Sequence, residues 1–405
     1  MRTCNIAGSA ASSHAGADKK IAAVVTAYYH NSHADVIVSR LFQTDTLDGK
    51  GRTYPLQLAS LYTDQVPETD VSRRLSEQYG FPIYPTVEEA LTLGTGRLAV
   101  DGVLLVTTHG VYPTSPIGKT LYPKRRMFEE TVDVFEKSGR VVPIFLDREV
   151  ANNWEDARWI CDRCQAMNIP TMAGSVLPMV WRKPPADVER GGELDHIVAN
   201  TYGSLNKYGF HALEFVQALA ERRKGGETGI RAVQCLSNEQ VWAAMEKPAY
   251  DPELFWMAMK VLSHGPADYD ELREKVAAPV LFVLEYDDGL RAFIFTFPGV
   301  VGEWSGAWRY KDGRSDACLF WTQEARPLMH FTYQVNGLEE MFFTGRPSWP
   351  AERSLMTTGA LDALLISNSR GGERIETPHL LFSYESDWDW QQPPPPPPGR
   401  PLKEQ

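Results

Sequence analysis

No run of apolar residues in this chain approaches the roughly 20 that a helix needs to cross a bilayer, so a membrane-spanning protein is not expected. An excess of positive charge is missing too. The formal net charge is -11 at pH 7, which removes any general attraction to nucleic acid or to an anionic membrane surface. Cysteine is scarce. The five present (Cys4, Cys161, Cys164, Cys235, Cys318) are odd in number and scattered, unlike the dense, even framework of a small secreted domain, and reduced thiols are expected. The first residues are small and polar and lack the roughly 7–15-residue apolar centre of a secretory signal, from which a cytoplasmic location is the expectation. What remains is a chain of 405 residues, 43% hydrophobic and 23% charged, with the composition of a globular protein and room for two domains.

The absence with the largest consequence is of glycine at one place. Residues 21–26 read IAAVVT, a first strand, and run into Ala27-Tyr28-Tyr29-His30-Asn31-Ser32-His33-Ala34-Asp35, where a dinucleotide fold carries GxGxxG. Tyr28 or Tyr29 is expected to fill space that a cofactor pyrophosphate would need. Around this loop the pattern is otherwise that of alternating strands and helices. A helix is expected over 34–42, a polar insertion over 43–54 and a strand over 56–62. The helix VSRRLSEQYG, capped by Thr69 or Asp70, ends at Gly80. A capping box at Thr86 to Glu89 then opens another helix. The apolar strand DGVLLVTTHG, a helix near 126–138, VVPIFLD, a helix over 154–167 and IPTMAGS follow. This is a doubly wound parallel α/β domain spanning 19–182, with its ligand crevice at the carboxyl ends of the strands.

From 183 to 385 the texture changes to an α+β domain on an open, mainly antiparallel sheet. VLFVLEYDDGLRAFIFTFPG carries an Asp287-Asp288-Gly289 hairpin signal, and CLFWTQ and HFTYQVNG read as further β segments. Residues 1–18 are expected to be a flexible tail. Residues 386–405, with six consecutive prolines, are expected to be a second one, or else a docking motif for a proline-reading domain.

The stretches LASLYTDQVPETDVSRRLSEQYGFPIYPTVEEAL, DGVLLVTTHG, GRVVPIFLDREVANNWEDARWICDRCQAMNIPTMAGS and YGFHALEFVQALAERR resemble the glucose-fructose oxidoreductase and inositol dehydrogenase (Gfo/Idh/MocA) family over residues 20–384. The resemblance implies a Rossmann-like domain, an oxidoreductase acting on a sugar-like or polyol-like substrate, NAD or NADP as cofactor, and a homo-oligomer formed through the carboxyl-terminal sheet. It places the family's Glu-Lys-Pro motif on Asp147-Arg148-Glu149, and its aspartate and catalytic histidine on Lys207 and His211. His211, with Arg148 and Tyr208, is thereby implied as the catalytic group, facing the interdomain cleft. Lys207, Glu214 and Asp147 are implied as substrate contacts, and Tyr28, His30, Asp64 and His109 as cofactor contacts. Histidine suits the acid-base role because it titrates near the working pH. Arginine in place of lysine can clamp a carboxylate or phosphate but cannot shuttle a proton.

Two further readings stay open. One is a lyase, epimerase or hydrolase without NAD, with His30, His33, His109 and Asp147 as ligands of a divalent metal; here His33 and His109 meet at the sheet edge. The other is a noncatalytic partner subunit. Lys124-Arg125-Arg126 is either an anion-neutralising group or a solvated helix start. Cys161 and Cys164 lie within a helix rather than at its start, where a thiolate would be stabilised. Trp304, Trp308, Trp321 and Phe331 are read as sheet packing, a dimer surface or a face for sugar rings.

Overall fold

The computed structural model describes residues 18–398. The expected amino-terminal tail and Cys4 therefore lie, but for Asp18, outside the described residues. The first domain runs β1 (Lys19–Val25), α1 (His33–Val38), β2 (Leu56–Thr63), α2 (Ser72–Tyr79), α3 (Val87–Thr92), β3 (Gly102–Val106), α4 (Lys124–Ser138), β4 (Ile144–Asp147), α5 (Trp154–Ala166) and β5 (Thr171–Gly174). The five strands are parallel in the order β2-β1-β3-β4-β5. Side chains alternate across the sheet as strand geometry demands. Ile21, Ala23 and Val25 enter the core shared with α1, whereas Ala22 and Val24 enter the core shared with α3, α4 and α5. Helix starts and stops follow the sequence. Thr86 accepts the Glu89 N–H at 3.1 Å, and Gly80 closes α2 at φ 79°.

The second domain holds β6 (Trp181–Lys183), β7 (Leu194–Thr201), α6 (Leu205–Ala220), β8 (Ile230–Ser237), α7 (Glu239–Glu246), α8 (Pro252–Lys260), α9 (Tyr269–Lys275), β9 (Val280–Tyr286), β10 (Arg291–Thr296), β11 (Trp304–Tyr310), β12 (Ser315–Trp321), α10 (His330–Thr344), α11 (Ala351–Ser369) and β13 (Ile375–Glu376). Its sheet has the order β13-β8-β9-β10-β7-β11-β12-β6, antiparallel except for the β10–β7 pair. The sheet takes up the chain at Trp181, before the expected boundary at 183, because β6 pairs with β12.

Two expectations are corrected. HFTYQVNG is the start of helix α10, not a strand. Its β-favouring residues are overridden because Phe331, Val335, Leu338 and Phe342 form an apolar stripe at helical spacing, and Phe342 packs so close to Gly102 that no β-carbon fits there. The sheet face implied for association is not exposed: α6 and α11 cover one side, and α7, α8 and α9 bury Phe293, Phe295, Ala307 and Leu319 on the other. Residues 386–398 are not a free tail but lie packed along β6, as set out below.

Candidate active site

The carboxyl ends of the parallel strands gather the chemistry. α1 begins at His33 because the Ser32 hydroxyl caps it, accepting the Asp35 N–H at 3.2 Å. That placement brings His33 Nδ1 to 2.8 Å from Asp147 Oδ2 at the end of β4. The same oxygen accepts the Thr108 hydroxyl at 2.8 Å, and the Asp147 carbonyl accepts Lys124 Nζ at 3.1 Å. Burial alone would raise the Asp147 pKa, but the His33 charge and its hydrogen bond outweigh it and the net shift is downward. An ionised carboxylate only accepts, so His33 donates through Nδ1, and Nε2 is the nitrogen left for proton exchange.

His33 is where three histidines meet. Its ring centroid is 5.1 Å from that of His109 and 6.4 Å from that of His211, with Phe331 packed edge-on at 5.1 Å. Burial, then the His33 charge, pushes His109 down to about 3. His211, on α6, is held well below the ordinary range by burial and then by Arg148 and His33. Both rings are therefore neutral at neutral pH. The Ser175 hydroxyl, 2.6 Å from His211 Nδ1, fixes that ring, and Tyr208 and Trp304 pack on it at 6.4 and 6.1 Å.

Arg148 takes a left-handed backbone, φ 64°, which costs a residue with a side chain roughly 1–3 kcal/mol and is a mark of functional positions. Its N–H donates to the Gly174 carbonyl at 3.1 Å, its side chain is buried, and Nη2 donates to the Lys207 carbonyl. Arg148 thus reaches the His211 helix, as expected, by way of a backbone oxygen; the Lys207 side chain is exposed. Lys119 Nζ and Glu149 Oε1, both buried, pair at 2.8 Å beside it.

Several expected contacts fall elsewhere. Glu214 lies beneath the site, not in it: buried, it accepts from the Ser175 N–H, the Ser354 hydroxyl and the Thr357 hydroxyl at 3.1, 3.1 and 2.6 Å. Its lone pairs are spent on holding Ser175. Tyr28 is fully buried against Ser39, its hydroxyl 2.7 Å from Ser39 Oγ. It is Tyr29 whose ring meets His109, edge-on at 5.4 Å. His30 is exposed and faces Asp35 at 3.8 Å, and among the described residues no group of three or more His, Cys, Asp or Glu is arranged to hold a metal ion. The Lys124-Arg125-Arg126 cluster divides. Lys124 is buried at the site and pushed down to about 8 by burial, Arg125 pairs with Asp156, and Arg126 pairs with Asp64. Burial pushes the Cys161 and Cys164 thiols up, which leaves them unreactive. Thr108 and Ser175 were not legible as site residues; their only signal is position, one at each of two strand ends.

No family model and no curated protein matches the chain. Solved structures do. GenD2 from gentamicin A biosynthesis, in complex with NAD, superposes with a TM-score of 0.59 at 14% identity, covering 90% of this chain and 97% of that one. An oxidoreductase from Agrobacterium radiobacter, in complex with NAD+, L-tartaric acid and magnesium, gives 0.54 at 12% identity over 90% and 100%. The apo scyllo-inositol dehydrogenase from Lactobacillus casei gives 0.54 at 10% identity over 88% and 98%.

The dinucleotide this fold implies does not fit the residues present. Where a pyrophosphate would approach the start of α1, the Asp35 carboxylate already accepts the Asn31 N–H at 2.9 Å and pairs with Arg326 at 2.6 Å, so both of these donors to a phosphate are taken. Tyr29 N–H and Asp35 N–H both donate to Ser32 Oγ at 3.2 Å. Asp64, expected to grip a ribose, instead accepts from Tyr112, Tyr62 and Arg126 at 2.6, 2.9 and 2.5 Å. Gln65 ties down the same β3–α4 loop through both backbone groups of Val111, at 2.8 and 2.9 Å. Titration with NADH or NADPH, followed by cofactor fluorescence, is expected to show no saturable binding through about 1 mM, weaker than roughly -4.1 kcal/mol. Micromolar binding would mean that the α1 loop and the Tyr112 loop both move aside. In architecture the chain has the two-domain fold of the Gfo/Idh/MocA dehydrogenases.

Proposed function

We propose that the protein is an enzyme of the sugar and polyol oxidoreductase fold that acts on a hydroxylated small molecule bearing an anionic group. The chemistry is proton transfer in the interdomain cleft, of the epimerase or lyase type, with His211 as acid-base and the His33–Asp147 pair as a second proton-transfer group. The observation that carries this reading is the meeting of His33, held on an ionised carboxylate, with His211 beside Arg148.

Charge supports an anionic substrate. Lys119, Lys124 and Arg148 gather around Asp147 and Glu149, an excess of one cation in a chain of net charge -11. Arg148 Nε makes no hydrogen bond among the described residues and stands 3.5 Å from Glu149 Oε2, so a substrate carboxylate would compete with Glu149 for this donor. The Agrobacterium radiobacter neighbour was solved with L-tartaric acid, a hydroxylated dicarboxylate, which is the same chemical class. A neutral His211 can take a proton from carbon or oxygen at neutral pH, and His33, once Nε2 has taken a proton, can give that proton back while Asp147 holds its Nδ1–H.

The test is solvent exchange. Sugar acids and polyols incubated with the protein in D2O, without added nicotinamide, are expected to incorporate deuterium at a hydroxyl-bearing or adjacent carbon. His211→Ala is expected to slow this by about 10²-fold or more. Because His211 must be neutral to act as base, its lowered pKa moves the acidic loss of rate to below pH 6.5, and the rate is flat between 6.5 and neutrality. Turnover that requires NAD or NADP and brings no deuterium into product would instead support the oxidoreductase chemistry that the family resemblance implies.

A further inference from the structure

The carboxyl-terminal segment lies against aromatic rings of β6 and α10, which a third ring, from β12, supports. Trp181 on β6 meets Trp321 on β12 at 4.9 Å and Tyr333 on α10 at 5.1 Å, both edge-on. Pro393 is buried there, and the next carbonyl, that of Pro394, accepts from both Trp181 Nε1 at 2.9 Å and Tyr333 OH at 3.2 Å. Proline has no N–H, so its carbonyl and its ring faces are all that a partner can recognise. Aromatic walls with ring donors aimed at a proline carbonyl are the means by which extended polyproline is read.

The residues just before the prolines extend the contact. Trp390 Nε1 donates to the Val180 carbonyl at 2.8 Å, and Gln392 Oε1 accepts the Arg182 N–H at 3.1 Å. The Arg182 guanidinium, with no exposed surface, lies between the Phe320 and Trp390 rings at 4.9 and 4.5 Å. β6 is the last strand of its sheet, so these residues cap an edge that would otherwise be open. They also grip the stretch 175–183 that crosses between the domains, whose first residue, Ser175, fixes His211.

We propose that the Trp181–Trp321–Tyr333 groove is a polyproline-binding site occupied in cis by residues 390–398, and that this docking locks the interdomain crossing. The site takes an extended proline-rich peptide, and the chain's own tail is its resident competitor.

The experiment uses full-length protein and a synthetic decaproline peptide as probe. The unaltered chain is expected not to bind decaproline, because the groove is filled. A variant with Pro393 to Pro398 replaced by glycine and serine is expected to bind one decaproline per chain, and Tyr333→Phe in that variant is expected to weaken binding by about tenfold through the lost hydrogen bond. Trp321→Leu, on a partly exposed ring, provides an independent loss of binding. In the same prolineless variant, hydrogen exchange at the Arg182 amide and its neighbours is expected to rise by about tenfold or more. Binding of decaproline to the unaltered chain, its failure to bind the prolineless variant, unchanged exchange at 180–183, or a dimer in which tails are exchanged between copies would each overturn the proposal.

Discussion

Asp147→Asn is expected to cut turnover by about 10²-fold or more while the protein stays folded. The carboxylate serves two donors through one oxygen, His33 Nδ1 and the Thr108 hydroxyl, each at 2.8 Å. An amide oxygen in the same place can still accept from both. It brings no negative charge, so the imidazolium that His33 becomes on taking a proton loses its counter-ion in a site that is almost closed to water. Thr108→Val removes one hydrogen bond and leaves the charge, so its cost should be about tenfold. The order of the two losses matters more than either magnitude: if Thr108→Val proved the more damaging, the carboxylate would be a structural anchor for the strand end. Both are read as kcat/KM for deuterium exchange.

The first domain was legible because its strands are short, largely apolar runs alternating with helices, three of them capped by the side chains of Ser32, Thr86 and Asn153, and such local signals survive into the structure. The loss of glycine before α1 was legible for the same reason, as a steric statement about backbone. What could not be read was the direction of side chains. Tyr28 and Tyr29 are neighbours in sequence, yet one enters the core and the other faces His109, and only the turn at Ser32 decides which. Glu214 lies one helical turn from His211 and looked like a substrate contact. It points instead at the underside of Ser175, a residue from another domain. The same limit explains α10, whose opening residues favour strands until the cavity beside Gly102 is there to receive Phe342. It also explains the tail, since a run of prolines announces an extended shape and says nothing of what lies beside it.

Glu221→Ala is expected to cost about 3–5 kcal/mol of stability, the penalty for leaving its partner charge buried and alone. Glu221 closes α6 and meets Arg353 of α11 in a paired geometry, Nε to Oε2 at 2.9 Å and Nη2 to Oε1 at 2.6 Å, with each side chain 1% exposed. The remaining lone pairs are filled by the Tyr384 hydroxyl at 2.8 Å and the Ser386 hydroxyl at 2.7 Å. This one carboxylate therefore joins the helix that carries His211, the helix behind it and the root of the carboxyl-terminal segment. Two comparisons separate the contributions. Ser386→Ala should cost only about 0.5–1.5 kcal/mol, as one hydrogen bond does. The double change Glu221→Leu with Arg353→Met should restore most of the loss, because removing both charges removes the desolvation penalty as well as the attraction. Urea unfolding read at the transition midpoint gives all three. If the double variant were as unstable as Glu221→Ala alone, the cost would arise from lost packing around α6 and α11, and the buried charge would not be its source.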